Sequence, residues 1–247
     1  MNPFAVVQNN VFATSTLALL AQRFDVARLI MISTDKAVSP ESIIGTSKRL
    51  AERVLLGMPA SVASMGSIRL GNVLGSEGSV VTRFLAQIAR GGAVTVTDPD
   101  VERFFLTREE TVQRVLACAA SGPGDGAIAI PVAGAPIRIV DLLRYLIEQA
   151  SAKDLEITHT GLGPDDKLQE QFVSDREAVL GSPCRWRRMD RQPRGARGET
   201  RCGKTRRVEY SSDDTNLSQL LTVLTRLVPE YQPSSFLLQP AGVPVAH

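Results

Sequence analysis

Ser33-Thr34-Asp35-Lys36 places two hydroxyls, a carboxylate and an amine side by side, and a second amine, Lys48, follows within the next element. An adjacent carboxylate and ammonium can act as a proton donor and acceptor pair. A second lysine can fix a ribose or shift a neighbour's titration through its charge. A Thr-Asp-Lys turn is more often a solvated loop, so residue types alone favour that reading over chemistry.

The elements that must position this cluster can be read from spacing. Asn2 and Pro3 suit the cap and first position of a helix over residues 3–23, where Phe4, Val7, Val11, Thr14, Leu17, Ala18 and Ala21 recur every three or four residues. The short apolar run from Ala27 to Ser33 has the character of a buried parallel strand. Ser39-Pro40 marks a second helix start, with helical spacing from Ile43 through Leu56, and Val62 to Leu70 is a further strand. Thr107-Arg108-Glu109-Glu110 is a capping box for a helix reaching about Ala120. A strand at Ala127 to Val132, a helix from Val140 to Ala150, a short strand near Glu156 to Thr160 and a helix from Leu217 to Leu227 complete the pattern. Alternating helices and strands predict an α/β chain with a parallel sheet. In such sheets ligands lie beyond the carboxyl ends of the strands, which singles out the loops Ser33 to Lys36 and Gly71 to Ser79.

Composition sets the outer bounds. The chain has 247 residues, 43% hydrophobic and 22% charged, enough for a sizeable core and inconsistent with collagen-like or wholly disordered classes. No uninterrupted apolar run reaches the length of a membrane span and the start is unlike a signal peptide, so no membrane span and a cytoplasmic location are expected. Cys118, Cys184 and Cys202 are odd in number and widely spaced, which points to free thiols and to no metal site. The net charge of +2 conceals an asymmetry: residues 185–207 carry nine arginines and Lys204 against Asp190 and Glu199, leaving 18 basic and 24 acidic residues elsewhere. With so few apolar residues, the segment 182–207 is expected to be a disordered Arg-rich insert between a domain at 1–181 and a helical tail at 208–247. It could meet an anionic surface or act as a solvated loop. No nucleic-acid-binding pattern accompanies it, so nucleic acid is not an expected partner.

Read together, Ile30 to Pro40 (IMISTDKAVSP) and Ile44 to Glu52 (IGTSKRLAE) resemble the extended short-chain dehydrogenase/reductases. Within them the match is to the polysaccharide-biosynthesis (CapD-like) nucleotide-sugar 4,6-dehydratases and C5-epimerases. The resemblance continues through Arg69 to Val80, Val94 to Pro99, Arg103 to Thr107 and Gly161 to Leu168, covers about residues 2–180, and returns at Val228-Pro229-Glu230-Tyr231. It stops near Ser182 and resumes near Val208, as a stretch translated in a shifted frame would.

The resemblance implies a Rossmann-like sheet with a small C-terminal substrate-binding part, bound NAD or NADP, and a UDP-sugar such as UDP-N-acetylglucosamine. The implied reaction oxidises C4, eliminates water across C5 and C6, and returns the hydride to C6. Carried over position by position, Thr34, Asp35 and Lys36 match the active-site triplet, and Lys48 the lysine that contacts the nicotinamide ribose. Ser33 and Leu70 fall on the cofactor side, while Asn72, Thr95, Arg103 and Lys167 fall on the substrate side. Asn10 matches an asparagine that braces the active-site strand. A homo-oligomer is a further expectation.

Three departures follow. Ile44 stands one turn before Lys48, where the superfamily has a tyrosine, so the phenolic base is missing, although some relatives have a nonpolar Met there. Gly163 and Asp165 replace an arginine and a glycine of the family's Gly-Leu-Arg-Pro-Gly-Glu-Lys motif. The sequence contains no GxxGxxG, and it begins at the helix before the active-site strand, so the sheet is expected to lack its N-terminal βαβ half. The alternative expectation is therefore a catalytically silent fragment or a non-catalytic subunit.

Overall fold

A computed structural model describes residues 2–59, 63–76, 78–121, 127–131, 134–152, 155–163, 166–175, 177, 179–180, 186–189 and 215–233. The chain opens with α1 (Pro3–Val7), a π-helical turn (Gln8–Phe12) and α2 (Ala13–Arg23), one continuous helix. Asn2 Oδ1 accepts from the Phe4 and Ala5 amides at 3.0 and 3.4 Å and so caps it. By length and composition alone this 21-residue helix could cross a membrane. A search for an uninterrupted apolar run misses it because Gln8, Asn9 and Asn10 break the run. Here Val7, Val11, Ala18 and Ala21 are buried against the body of the protein.

Strand β1 (Arg28–Thr34) leads through a 3-10 turn (Asp35–Ala37) to α3 (Ile43–Gly57), and β2 (Ser64–Leu70) returns parallel to it. The helix starts later than Ser39-Pro40 suggested: Ser42 Oγ accepts from the Gly45 amide at 3.1 Å, while Ser39 sits at φ 44° in the preceding turn. The chain continues with β3 (Asn72–Val73), α4 (Val80–Arg90), β4 (Val94–Val96), β5 (Glu102–Arg103), β6 (Phe105–Leu106) and α5 (Arg108–Ser121). In the capping box of α5, Thr107 N donates to Glu110 Oε2 at 2.9 Å and Glu110 N to Thr107 Oγ1 at 3.1 Å. Then come β7 (Ala127–Pro131), β8 (Ile137–Arg138), α6 (Ile139–Gln149), β9 (Ile157–His159), β10 (Val179–Leu180), β11 (Trp186–Met189) and α7 (Thr215–Leu227).

The main sheet runs β1-β2-β7-β11-β10, with the first three strands parallel and the last two antiparallel additions. Both faces of its parallel part are covered, and the alternation of strand side chains shows how. Leu29, Met31 and Met65 point to α2 and α3, whereas Ile30, Ile68 and Leu70 point to α5 and its Cys118. A separate cluster of Phe84, Val94, Val96, Val101, Ile139 and Leu143 builds the expected smaller part around α4, α6 and the parallel pair β4 and β9.

Strand β11 corrects one expectation. Trp186–Met189 falls inside the segment expected to be disordered, yet it pairs antiparallel with β7. The open edge of β7 offers unpaired amides and carbonyls, and main-chain pairing does not depend on whether a strand carries arginines. The rest of 182–207 lies outside the described residues, as do 208–214 and 234–247 of the tail.

A buried ion network joins these elements behind β1. Arg69, fully buried on β2, donates from Nε and Nη2 to Glu52 of α3 at 2.9 and 2.7 Å. It also donates to Glu177 Oε2 and Oε1, each at 2.9 Å, and to the Phe172 carbonyl at 2.8 Å. Arg49 bridges Glu52, Glu177 and, through Nε, Glu230 beyond α7 at 2.9 Å.

Candidate active site

The cluster singled out by residue type lies where β1 ends, opposite the loop that follows β2. Thr34, the last residue of β1, caps the short turn through its Oγ1, which accepts from Lys36 N at 3.4 Å and donates to Asp35 Oδ1 at 2.9 Å. Asp35 is fully buried, and its Oδ1 also accepts from Lys36 Nζ at 2.9 Å. Across the loop, Asn72 Oδ1 accepts from the same ammonium at 3.1 Å. Lys36 is 39% exposed, so it is the ionised member of the trio that reaches solvent, with the buried Asp35 behind it.

Two glycines permit these approaches. A Cβ on Gly45 would stand 2.2 Å from the Lys36 carbonyl oxygen, so only glycine lets the first turn of α3 pack against the turn that carries Lys36. A Cβ on Gly71 would stand 2.7 Å from the Phe104 carbonyl oxygen, whose partner is the Asn72 amide at 2.8 Å.

Lys48 projects from α3 to the same strand end and donates to the Ile32 carbonyl at 3.1 Å. Burial holds its amine below the ordinary lysine value, against the opposing charge of Glu52. Ile44, one turn earlier, is 39% exposed on this side and offers no proton. Ser33 is buried, and its Oγ donates to Glu52 Oε1 at 2.6 Å, which ties the Thr34–Lys36 turn to the ion network. Leu70 is buried at the end of β2, in register with Thr34. Asn10 donates to Ser47 Oγ at 2.9 Å and thus braces α3 beside Lys48.

The residues carried over as substrate ligands are more spread out. Lys167 Nζ donates to the Val38 and Ser39 carbonyls at 2.9 and 2.6 Å, which locks its loop onto the chain just after Lys36. Arg103 Nη1 donates to the carbonyls of Glu102 and Leu168 at 2.7 and 3.1 Å. Thr95 lies on β4, and its Oγ1 accepts from Gln87 of α4 at 2.9 Å; no described contact joins it to the Lys36 cluster. Gly163 N donates to Asp166 Oδ2 at 3.1 Å, and Asp165 lies outside the described residues.

Sequence reasoning missed Glu170. Its side chain is only 5% exposed and its Oε1 is 3.8 Å from Lys36 Nζ. The signal was present, since it is the first carboxylate after the Gly161 to Leu168 motif, but nothing in the spacing places it against residue 36.

A parallel sheet with helical crossovers, carrying its polar cluster at the carboxyl end of β1, the strand at one edge of the described sheet, defines a Rossmann-fold protein of the short-chain dehydrogenase/reductase class. A solved structure of Pen from Bacillus thuringiensis superimposes with a TM-score of 0.65 at 28% identity, over 76% of this chain and 60% of that one. A UDP-N-acetylglucosamine 4-epimerase from Methanobrevibacter ruminantium M1 shares the fold, with a TM-score of 0.59 at 19% identity over 68% and 61% of the two chains. More specifically, the chain belongs to the polysaccharide biosynthesis protein family, whose model matches residues 1–185. The capsular polysaccharide biosynthesis protein CapD of Staphylococcus aureus is 40% identical over 180 residues, 71% of this chain and 30% of that protein. A UDP-glucose 4-epimerase of Rickettsia rickettsii is 31% identical over 188 residues, 74% and 54% of the two chains. The chain thus spans about a third to a half of the length of these curated relatives.

Proposed function

We propose that this chain carries the acid–base half of a nucleotide-sugar dehydratase, removing water from a UDP-N-acetylglucosamine-like sugar in polysaccharide biosynthesis. The observation that supports it most is the Asp35–Lys36 pair. A fully buried carboxylate holds an exposed ammonium at 2.9 Å, and Thr34 and Asn72 fix the geometry from two sides. Elimination beside a ketone needs a group that can both take and give a proton at adjacent carbons, and Lys36 is placed to do so with Asp35 behind it. Ile44 supplies no proton, so the acid–base work falls to the ionisable groups at the end of β1, of which Asp35 and Lys36 are the directly paired ones.

NAD or NADP belongs to this reading. When bound, a nicotinamide accepts a hydride from C4 and returns one at C6. Lys48 fits its ribose: the amine lies at the strand end and one of its protons is already directed at the Ile32 carbonyl. Arg103 and Lys167 lie close enough to act on Glu170 beside Lys36 and bring positive charge suited to a diphosphate, and Asn72 accepts from Lys36 itself. A homo-oligomer and a cytoplasmic setting, consistent with the free, buried Cys118, complete the reading.

The test is direct. The full chain is incubated with UDP-N-acetylglucosamine and either dinucleotide, and the sugar is examined by mass spectrometry for loss of one water. Product from the native chain and none from Asp35→Asn is the expected result; an unchanged sugar in both refutes the proposal.

A further inference from the structure

Lys36 has a second buried carboxyl beside it. Glu170 approaches from the segment after Lys167, with a side chain 5% exposed, Oε1 3.8 Å from Lys36 Nζ, and a buried Oε2 without a hydrogen-bond partner among the described residues. Asp35 differs: its Oδ1 accepts from both Thr34 Oγ1 and Lys36 Nζ. Asp35 Oδ2 is likewise buried without a partner among the described residues, so the two carboxyls that flank the ammonium differ in their other oxygen: Asp35 Oδ1 is hydrogen-bonded to it at 2.9 Å, whereas Glu170 Oε1 lies 3.8 Å away. Where two acids share a site, such inequality separates their roles.

We propose that Glu170 is the proton-holding group of this site: it takes a proton from Lys36 Nζ and returns it, so that Lys36 meets the sugar as a neutral amine. This rests on the dehydratase reading. In the transfer one N–H bond of Lys36 breaks and one O–H bond forms on Glu170, turning an ion pair into a neutral amine and a neutral acid. The amine then takes the C5 proton. The resulting ammonium gives a proton to the C6 hydroxyl, the C6–O bond breaks, water leaves and the C5=C6 bond forms. Back-transfer from Glu170 to Lys36 restores the starting state. Glu170 never touches the sugar in this scheme; it acts through Lys36.

The surroundings favour the neutral acid. Burial pushes the Glu170 carboxyl above the ordinary 4.5, Lys36 opposes the shift, Asp35 adds to it, and Arg103 and Lys167 oppose it from the other elements packed nearby. A bare buried carboxylate oxygen is costly to leave unmatched, and protonation relieves that cost.

The experiment uses the full chain labelled with 13C in its glutamate carboxyls, the Glu170 resonance being the one lost in Glu170→Gln. Its titration midpoint is expected above 4.5 and is expected to fall in Asp35→Asn, where the neighbouring anion is gone. With UDP-N-acetylglucosamine as substrate, Glu170→Gln is expected to lower kcat on the order of 10²-fold while KM changes little. Glu170→Asp is expected to restore part of the rate and the acid limb of the pH profile. A midpoint at or below 4.5 overturns the proposal, as does an unchanged kcat in Glu170→Gln. A native chain that forms no product while Glu170 titrates high and responds to Asp35→Asn removes the dehydratase reading and leaves the shared proton standing.

Discussion

Replacing Arg69 with methionine tests whether the ion network behind β1 holds the fold. Arg69 is fully buried, and its guanidinium donates twice to Glu52, twice to Glu177 and to the Phe172 carbonyl. Methionine keeps much of the volume but leaves two buried carboxylates short of a cation. Removing one partner of such a pair costs about 3–5 kcal/mol. Arg49 still reaches Glu52 at 3.1 Å and Glu177 at 2.6 Å, so the lower end, about 3 kcal/mol, applies. For a chain of this size that lowers Tm by about 6–12 °C, read at pH 7 by circular dichroism. The pH dependence gives a second check. Against its own burial, Glu177 is held down to about 2 by the Arg69 hydrogen bonds and charge, by Arg49 and by the Ser174 amide. A lowered carboxyl stabilises the fold above its ordinary 4.5 and loses that contribution as pH falls from 4.5 towards 2. This loss is about 3 kcal/mol in the native chain, and it should shrink in Arg69→Met. A fall in Tm below about 2 °C, or an unaltered acid limb, would refute the argument.

Three further outcomes are expected. Gly45→Ala should cost about 1–3 kcal/mol in a denaturant titration and cut any dehydratase activity more than stability explains, because the new Cβ meets the Lys36 main chain rather than a movable side chain. The Cys118 thiol, pushed up to about 11 by burial against the smaller pull of Arg28, should resist iodoacetamide at pH 8 in the native chain and react after unfolding, as peptide mass spectrometry would show. Glu230→Gln, which removes the charge that Arg49 Nε holds at 2.9 Å, should lower Tm by a few degrees; a change confined to the melting of α7, followed by hydrogen exchange, would show instead that the tail is not coupled to α3.

The polar turn after β1 was legible because its parts are consecutive: a buried apolar strand, then Thr34, Asp35 and Lys36. Periodicity also located α3, α5 and α6 to within a few residues, since each has a cap or a clean apolar face. Helix α4 carries a sequence signal too, since Ser79 precedes Val80, Phe84 and Ile88 at helical spacing, but the polar, glycine-containing loop before it masks its start. Strands β3, β5, β6 and β8 are two residues long, too short for any alternation to show. The role of Glu170 and the Arg69 network could not be read at all. Each joins residues more than a hundred positions apart, and composition carries no information about which buried charges meet.

That network also links the turn at residues 33–36 to chain nearly two hundred residues later. Ser33 Oγ donates to Glu52 at 2.6 Å, and Glu52 is held by Arg69 and Arg49. Arg49 in turn reaches Glu230, just past α7, whose Leu220, Leu221 and Leu224 pack with Val7, Val11 and Ile43. Thr34 follows Ser33 directly, so any loosening of Glu52 reaches the residue that caps the turn around Asp35 and Lys36. A hydroxyl alone would leave that strand end free to shift. Tied to a buried carboxylate that two arginines hold in place, it fixes the Asp35–Lys36 pair with the precision that proton transfer across about 3 Å requires.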